Sequence, residues 1–165
     1  KWTKSQLGKL AVVPQMIDIA ELTDGVIEVM RPVAAIKNIT IRQEEGGHYE
    51  VSVDIEMIKS VIRNLLSNAV KFSHKDSGID VAIGISDDKV VVSVVDHGKG
   101  IKTEDQPKLL QEATHFTTFG TNSEEGSGLG LLLCRDFVRK NGGELWFESE
   151  ENVGSRFSFS IPKAV

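Results

Sequence analysis

The sequence predicts an α+β domain, a two-layer sandwich in which a mixed, mostly antiparallel sheet packs on about three helices. The runs "IDVAIGIS" and "KVVVSVVD" alternate apolar and polar residues across Asp87 and Asp88, as the strands of a hairpin do. Longer stretches instead repeat apolar residues every three or four positions, the period of a half-buried helix. Strands and helices also come in groups rather than in strict alternation, which favours this architecture over a doubly wound parallel sheet.

Taken in order, "DIAELTDGVIEVMRPVAAIKN" places Ile19, Leu22, Val26, Val29, Met30 and Val33 at helical spacing, with Asp18 as N-cap and Pro32 as a candidate kink. "ITIRQEE" and "YEVSVD" alternate around Gly46 and Gly47 and are expected to form a hairpin. "DIEMIKSVIRNLLSNAVKFS" follows, an amphipathic helix with Ile58, Ile62, Leu65, Ala69 and Phe72 on one face. After the hairpin at Asp87 and Asp88, "DHGKGI" interrupts the pattern with glycines. Residues 102–126 are polar and read as a mobile loop with one short helix over 104–112. "LGLLLCRDFVRKNGG" resumes helical spacing until Gly142 and Gly143 stop it, and "ELWFESE" with "SRFSFSIP" supplies a third strand pair, for six or so strands in all.

A chain of 165 residues is long enough for one domain with a real core. Its 40% hydrophobic and 26% charged residues are ordinary for a globular protein, and no apolar run reaches the length needed to cross a bilayer. The net charge of −5 disfavours a broad nucleic-acid surface, so nucleic acid is not an expected partner. Cys134, the single cysteine, is read as a small buried apolar residue. "KWTKSQLGKL" lacks the apolar core of a secretory signal, and the start without Met suggests a piece of something longer.

Three features exceed what a core requires. Asn64, Asn68 and Lys71 project in a row beside the apolar stripe of the second helix. Such a row either offers oxygen to a hydrated Mg²⁺ and charge to phosphates, or is a solvated helix flank. In "VVDHGKGI" a strand ends at Asp96, a carboxylate able to accept from an exocyclic amine, and Gly98 and Gly100 free the backbone for a flat ring; a plain Asp-Gly turn is the alternative. His97, between them, reads as a loop residue. In "GSGLGL", Gly126, Gly128 and Gly130 can present amide N–H groups to an anion where a helix begins. Leu131 stands where the dinucleotide motif needs glycine, and no GxxxxGK[ST] occurs.

The order is more specific than any part. Asn-x-x-x-Asn on a helix, Asp-x-Gly-x-Gly after a strand, a polar loop, then Gly-x-Gly-x-Gly before a helix resembles the ATP-binding domain shared by sensor histidine kinases, Hsp90 chaperones, type II topoisomerases and MutL proteins. "NLLSNAVKFS", "VVDHGKGI", "GSGLGLLLC" and "NGGELWFESEENVGSRFSFSIP" are most similar to the N, G1 and G2 boxes and the closing strands of the histidine-kinase branch. The resemblance covers roughly residues 17–162 and implies the Bergerat-type fold over residues 13–165. Residues 1–12 resemble the end of a dimerisation and phosphoacceptor helix with its linker.

By the same resemblance, Asp96 would bind the adenine amine, Gly98 and Gly100 would give the base room, and Phe72 and Ile101 would line its pocket. Asn68 would ligate Mg²⁺, with Asn64 and Lys71 near the phosphates. Gly126, Gly128, Leu129 and Gly130 would cradle phosphate, beneath a lid over about residues 113–125 that includes Thr118. Two departures stand out: Leu110 occupies the place of the F-box Phe, and Phe119 the place where related lids carry Lys or Arg. The implied activity is transfer of the γ-phosphoryl of Mg-ATP to a histidine on a separate dimerisation domain, and onward signalling to a response regulator receiver domain. None of the chain's four histidines ("HYE", "HKD", "HGK", "HFT") has the phosphoacceptor setting, so the acceptor is expected elsewhere. A cytoplasmic location follows, with the parent protein anchored in the inner membrane or not, and no direct membrane contact by this domain. The competing classes are a serine kinase of the anti-sigma-factor type, and a nucleotide-gated module or degenerate kinase that binds ATP without transfer. ATPase branches use a Glu on the first motif helix as general base, and no carboxylate occurs over residues 58–72.

Overall fold

The computed structural model describes residues 11–44, 47–109, 117–119, 125–127 and 129–164. In chain order the elements are β1 (Gln15–Asp18), α1 (Ile19–Ala35), β2 (Thr40–Gln43), β3 (Glu50–Val53), α2 (Ile55–Phe72), β4 (Gly78–Ser86) and β5 (Lys89–Asp96). A single 3₁₀ turn (Gln106–Lys108) precedes β6 (Thr117–Phe119), β7 (Glu125–Ser127), α3 (Leu129–Lys140), β8 (Glu144–Glu150) and β9 (Gly154–Pro162). Five strands form one sheet in the order β2-β4-β5-β9-β8, antiparallel except for β2 beside β4. The α+β sandwich with a mixed, mostly antiparallel sheet is therefore the observed fold.

The first expected hairpin does not form. β2 runs parallel to β4 in the register Thr40↔Gly78 to Gln43↔Val81, while β3 pairs antiparallel with β1. The sequence between β2 and β4 holds β3 and α2, which is long enough for the crossover that a parallel pair needs. β1 was hidden because its four residues, "QMID", are too few to alternate legibly. The other two hairpins form as read, with Asp87 at a positive φ of 57° in the first. Among the described residues there are nine strands rather than six. The two extra ones in the polar stretch pair as Thr117↔Ser127 to Phe119↔Glu125. In place of the helix expected over 104–112, only the turn Gln106–Lys108 is helical among the described residues. Residues 1–10 and Leu110, with most of the implied lid, lie outside them.

Each long helix begins at an aspartate. Asp18 accepts from the N–H of Ala20 at 3.0 Å and from the N–H of Tyr49 at 3.0 Å, so one carboxylate caps α1 and ties it to the approach to β3. Asp54 accepts from Met57 N–H and Val13 N–H, each at 3.1 Å, while its own N–H donates to Asn141 Oδ1 at 2.8 Å. That residue joins the start of α2 to the segment before β1 and to the end of α3. The buried stripe of α1 is Ile19, Thr23, Val26, Ile27, Met30 and Ala34, and the helix runs on through Pro32. Val29 and Val33, expected in the core, are 68% and 47% exposed, because the helix turns the adjoining column of its surface inward, toward α2 and β2. On α2 the reading holds: Ile58, Ile62, Leu65 and Ala69 are buried.

The core lies between sheet and helices and centres on Ile27, Ile58, Ile62, Leu65, Phe137 and Phe159, all at most 1% exposed. Each such side chain contributes about 1.5–3 kcal/mol by leaving water. Cys134 is fully buried against α2, its Sγ 3.9 Å from the Val61 carbonyl, and burial pushes its thiol up to about 12, as expected of a small apolar core residue. Asp54, like Asp18, both caps a helix and ties it to a second segment. Asp54→Ala is expected to lower stability by about 1–2 kcal/mol, measured as a drop in the urea midpoint without change in slope, whereas Asp54→Asn retains the cap and most of the stability.

Candidate functional site

The last turn of α2 meets the loop after β5. Asp96 ends β5 and Ser73 ends α2, and between them the Lys99 N–H donates to the Phe72 carbonyl at 3.1 Å. A Cβ on Gly98 would run into that same Phe72 carbonyl, so the two backbones can lie this close only with glycine at 98. Gly100 has φ +66°, and a Cβ there would strike the Glu150 carbonyl in the turn between β8 and β9. The same turn is held by Asn152 N–H, which donates to the Lys99 carbonyl at 2.7 Å, and by Ile101 N–H, which donates to Ser149 Oγ at 2.8 Å. The glycines thus have a reason in the protein's own packing: they let one loop pass between a helix end and a hairpin turn.

Beside this joint opens a cleft of about 400 Å³. Asn68 and Phe72 of α2 face it from one side, and Gly100, Ile101, Leu109, Leu131 and Phe157 supply most of the rest of an apolar wall. Lys99 and Lys102 bring positive charge to the lining, and Asp105 and Glu151 bring negative charge. The ammonium groups of Lys71 and Lys99 lie 4.6 and 5.2 Å from the centroid of the Phe72 ring, within cation–π range. A flat apolar ring would find complementary surroundings here, with the Lys71 and Lys99 ammonium groups beside it.

Asp96 is 4% exposed and is not part of the lining of this cleft. Its Oδ1 accepts from Gly98 N–H at 3.0 Å. Burial pushes its carboxyl up to about 6, against the lowering effect of N–H donation from Gly98 and Ser155 and of the nearby His97 and His74. It also borders a second hollow of about 400 Å³ with His97, Glu148 and Arg156. His97 itself is exposed and lies 3.5 Å from Asp80 Oδ2, as a loop residue would.

Asn64 lies one turn before Asn68, and its Nδ2 donates to the Ser60 carbonyl at 2.9 Å. Its Oδ1 would lie 3.4 Å from a Cβ on Gly130, which brings the row on α2 against the first turn of α3. Leu129 and Gly130 begin α3, and Thr118 stands opposite Gly126 in the β6–β7 ladder; Gly128 lies outside the described residues. Among the predicted residues, then, Asn68, Phe72, Gly100 and Ile101 share the cleft, and Asn64 meets Gly130. Sequence reasoning missed Lys99, Lys102, Asp105, Leu109, Leu131, Glu151, Asn152 and Phe157. Lys99 alone had a signal, its place between the two glycines. A larger hollow of about 570 Å³, lined by Met16, Ile17, Leu22 and Ile55 among others, holds none of the predicted residues. No three His, Cys, Asp or Glu side chains converge on a metal position among the described residues.

A glycine loop packed against a helix end, with a buried aspartate at its start and a carboxamide facing the cleft, is the arrangement of motifs the sequence predicts. Residues 53–165 match the family of histidine kinase-, DNA gyrase B- and HSP90-like ATPases, and the chain belongs to that family. It is 35% identical over 146 residues, 87% of its length, to the adaptive-response sensory kinase SasA of Synechocystis sp., of which it covers 38%. The catalytic domain of histidine kinase ThkA is similar in fold, with TM-score 0.77 and 31% identity over 92% of this chain and 96% of that one. Full-length ShkA in complex with AMPPNP gives TM-score 0.81 and 25% identity over 98% of this chain and 34% of that one. ThkA is also known in complex with the response regulator protein TrrA. The chain spans less than half the length of the curated relatives it matches. No helix of the described residues is long and apolar enough to cross a membrane.

The buried carboxyl yields a prediction in its own right. A group whose pKa rises on folding favours the native state while protonated, so its contribution is present below about pH 4 and is lost as pH climbs through about 6. Relative to Asp96→Asn, which cannot titrate, the wild type is expected to lose roughly 2 kcal/mol between pH 4 and 7. Denaturant unfolding of both proteins at each pH measures the difference.

Proposed function

We propose that this chain is the catalytic domain of a two-component sensor kinase, which binds Mg-ATP and delivers its γ-phosphoryl to a histidine on a separate dimerisation domain. The observation that carries the reading is the joint of Phe72 with Gly98 and Lys99, which aligns Asn68 and Phe72 with Gly100 and Ile101 along one cleft. Leu109, Leu131, Ile101 and Phe157 form walls for a purine, and Asp96 supplies an acceptor for its exocyclic amine. Lys71, Lys99 and the start of α3, with Gly126, Gly128, Leu129 and Gly130, provide positive charge and N–H groups for phosphates. Thr118 belongs to the flap that would cover them.

Mg²⁺ would arrive with the nucleotide, held by phosphate oxygens and the Asn68 carboxamide; among the described residues no three acidic, histidine or cysteine side chains converge on a cation position. The cation would neutralise charge on the transferring phosphoryl. This chain's own part is to bind, orient and exclude water, which is the greater part of catalysis in phosphoryl transfer. Among the histidines, His48 is paired with Asp18 at 2.9 Å and His97 with Asp80, neither in an acceptor setting. The dimerisation domain and a receiver domain are accordingly the partners, on the cytoplasmic side of any membrane that anchors the parent. ShkA with AMPPNP and ThkA with TrrA support the nucleotide and the receiver respectively.

Calorimetric titration is expected to detect Mg-ATP binding to the wild type and its loss in folded Asp96→Asn. Affinity is also expected to weaken below the Asp96 transition at about 6, approaching tenfold per pH unit, because a protonated carboxyl competes with the amine as donor. The fragment alone should take up no acid-labile label from γ-labelled ATP but should phosphorylate an added dimerisation domain; binding without that transfer would favour the ATP-sensing module.

A further inference from the structure

The four last carbonyls of a helix have no partners within it. At the end of α2 each is accounted for. The Ala69 carbonyl accepts from Ser73 N–H at 3.0 Å and Ser73 Oγ at 2.6 Å, and the Phe72 carbonyl takes the glycine loop through Lys99 N–H. The Val70 and Lys71 carbonyls accept from one ammonium, Lys37 Nζ, at 3.0 and 3.1 Å. Lys37 comes from the turn after α1 and is only 4% exposed.

A buried ammonium is a demanding way to end a helix, since its desolvation opposes folding by several kcal/mol and must be offset by its bonds. The usual solution, a left-handed residue whose following N–H groups fold back, is absent because Ser73 is extended at φ −77°, ψ 149°. That extended exit leaves the Phe72 carbonyl to the loop and the two carbonyls before it to Lys37. The lysine is itself fixed on both sides. Its carbonyl accepts from Asp76 N–H at 3.1 Å, Asn38 Nδ2 donates to Asp76 Oδ1 at 2.7 Å, and Thr40 N–H donates to the Ser77 carbonyl at 3.2 Å where β2 joins β4. The positive charge also complements the negative end of the α2 dipole.

We propose that Lys37 is a positioning residue for the nucleotide: by holding the last turn of α2, its ammonium sets Asn68, Lys71 and Phe72 against the Gly98–Gly100 loop. The inference rests on the proposed nucleotide site but acts through a residue that does not itself line the cleft. Lys37→Met keeps the stem and removes the donors; Lys37→Gln keeps one short donor. In Lys37→Met, Mg-ATP affinity by calorimetry is expected to fall at least tenfold, with cooperative unfolding retained. Amide hydrogen exchange without nucleotide should quicken chiefly at residues 70–73 and 98–100. Val26→Ala, a core change on α1, serves as a control for general destabilisation. A folded Lys37→Met with wild-type affinity would overturn the proposal, as would faster exchange spread evenly through the domain as in Val26→Ala. If Lys37→Met does not fold, Lys37→Gln is read in its place, and unchanged affinity there overturns the proposal equally. A wild type that fails to bind Mg-ATP would instead remove the nucleotide reading, while the exchange pattern still reports whether Lys37 holds the turn.

Discussion

One hydrogen bond, from the Lys99 N–H to the Phe72 carbonyl, joins the two halves of the candidate site, and much of the local architecture exists to permit it. It requires a helix that ends without curling back, which Ser73 and Lys37 provide, and a loop without a side chain at 98. The loop needs a floor, which the β8–β9 turn gives through Asn152 and Ser149. Each of these contacts is ordinary in strength. Together they fix a helix, a strand end and a hairpin at one point.

Asp96 illustrates the tension between stability and function in this arrangement. A carboxylate at this position is disfavoured by burial, which pushes its proton affinity up, and two backbone N–H groups only partly offset that. An apolar residue would suit the core better. A carboxyl kept buried at this cost is consistent with the proposed acceptor role, and perturbed ionisation is a recognised mark of functional sites.

Much of this was legible in the sequence. The long helices and two of the hairpins follow from periodicity, the Asp18 cap from its place before the first helix, and the motif order points to the family, whereas the Asp54 cap was not read from the sequence. The failures have physical causes. The β2 partner was misassigned because parallel pairing is a long-range choice that local alternation cannot distinguish from a hairpin. Val29 and Val33 were misplaced because a helix with apolar residues on adjoining columns does not say which column faces inward, and here Thr23 and Ala34 take the inner one. Gly98 and Gly100 were read as room for a ligand; the structure adds that a side chain at either would meet the protein's own carbonyls, while Gly100 also lines the cleft. Lys37 was invisible, since only the packed structure reveals that a lysine after α1 reaches the end of α2.

The central claim is that nucleotide binds at the junction of α2 with the loop after β5. It is tested most directly by titrating isotope-labelled protein with Mg-AMPPNP and following backbone amide resonances. The account predicts the largest changes at Asn68 to Ser73 and Asp96 to Ile101, with saturation at one equivalent. Changes centred instead on the hollow at Met16, Ile17 and Leu22, with the junction silent, would contradict it.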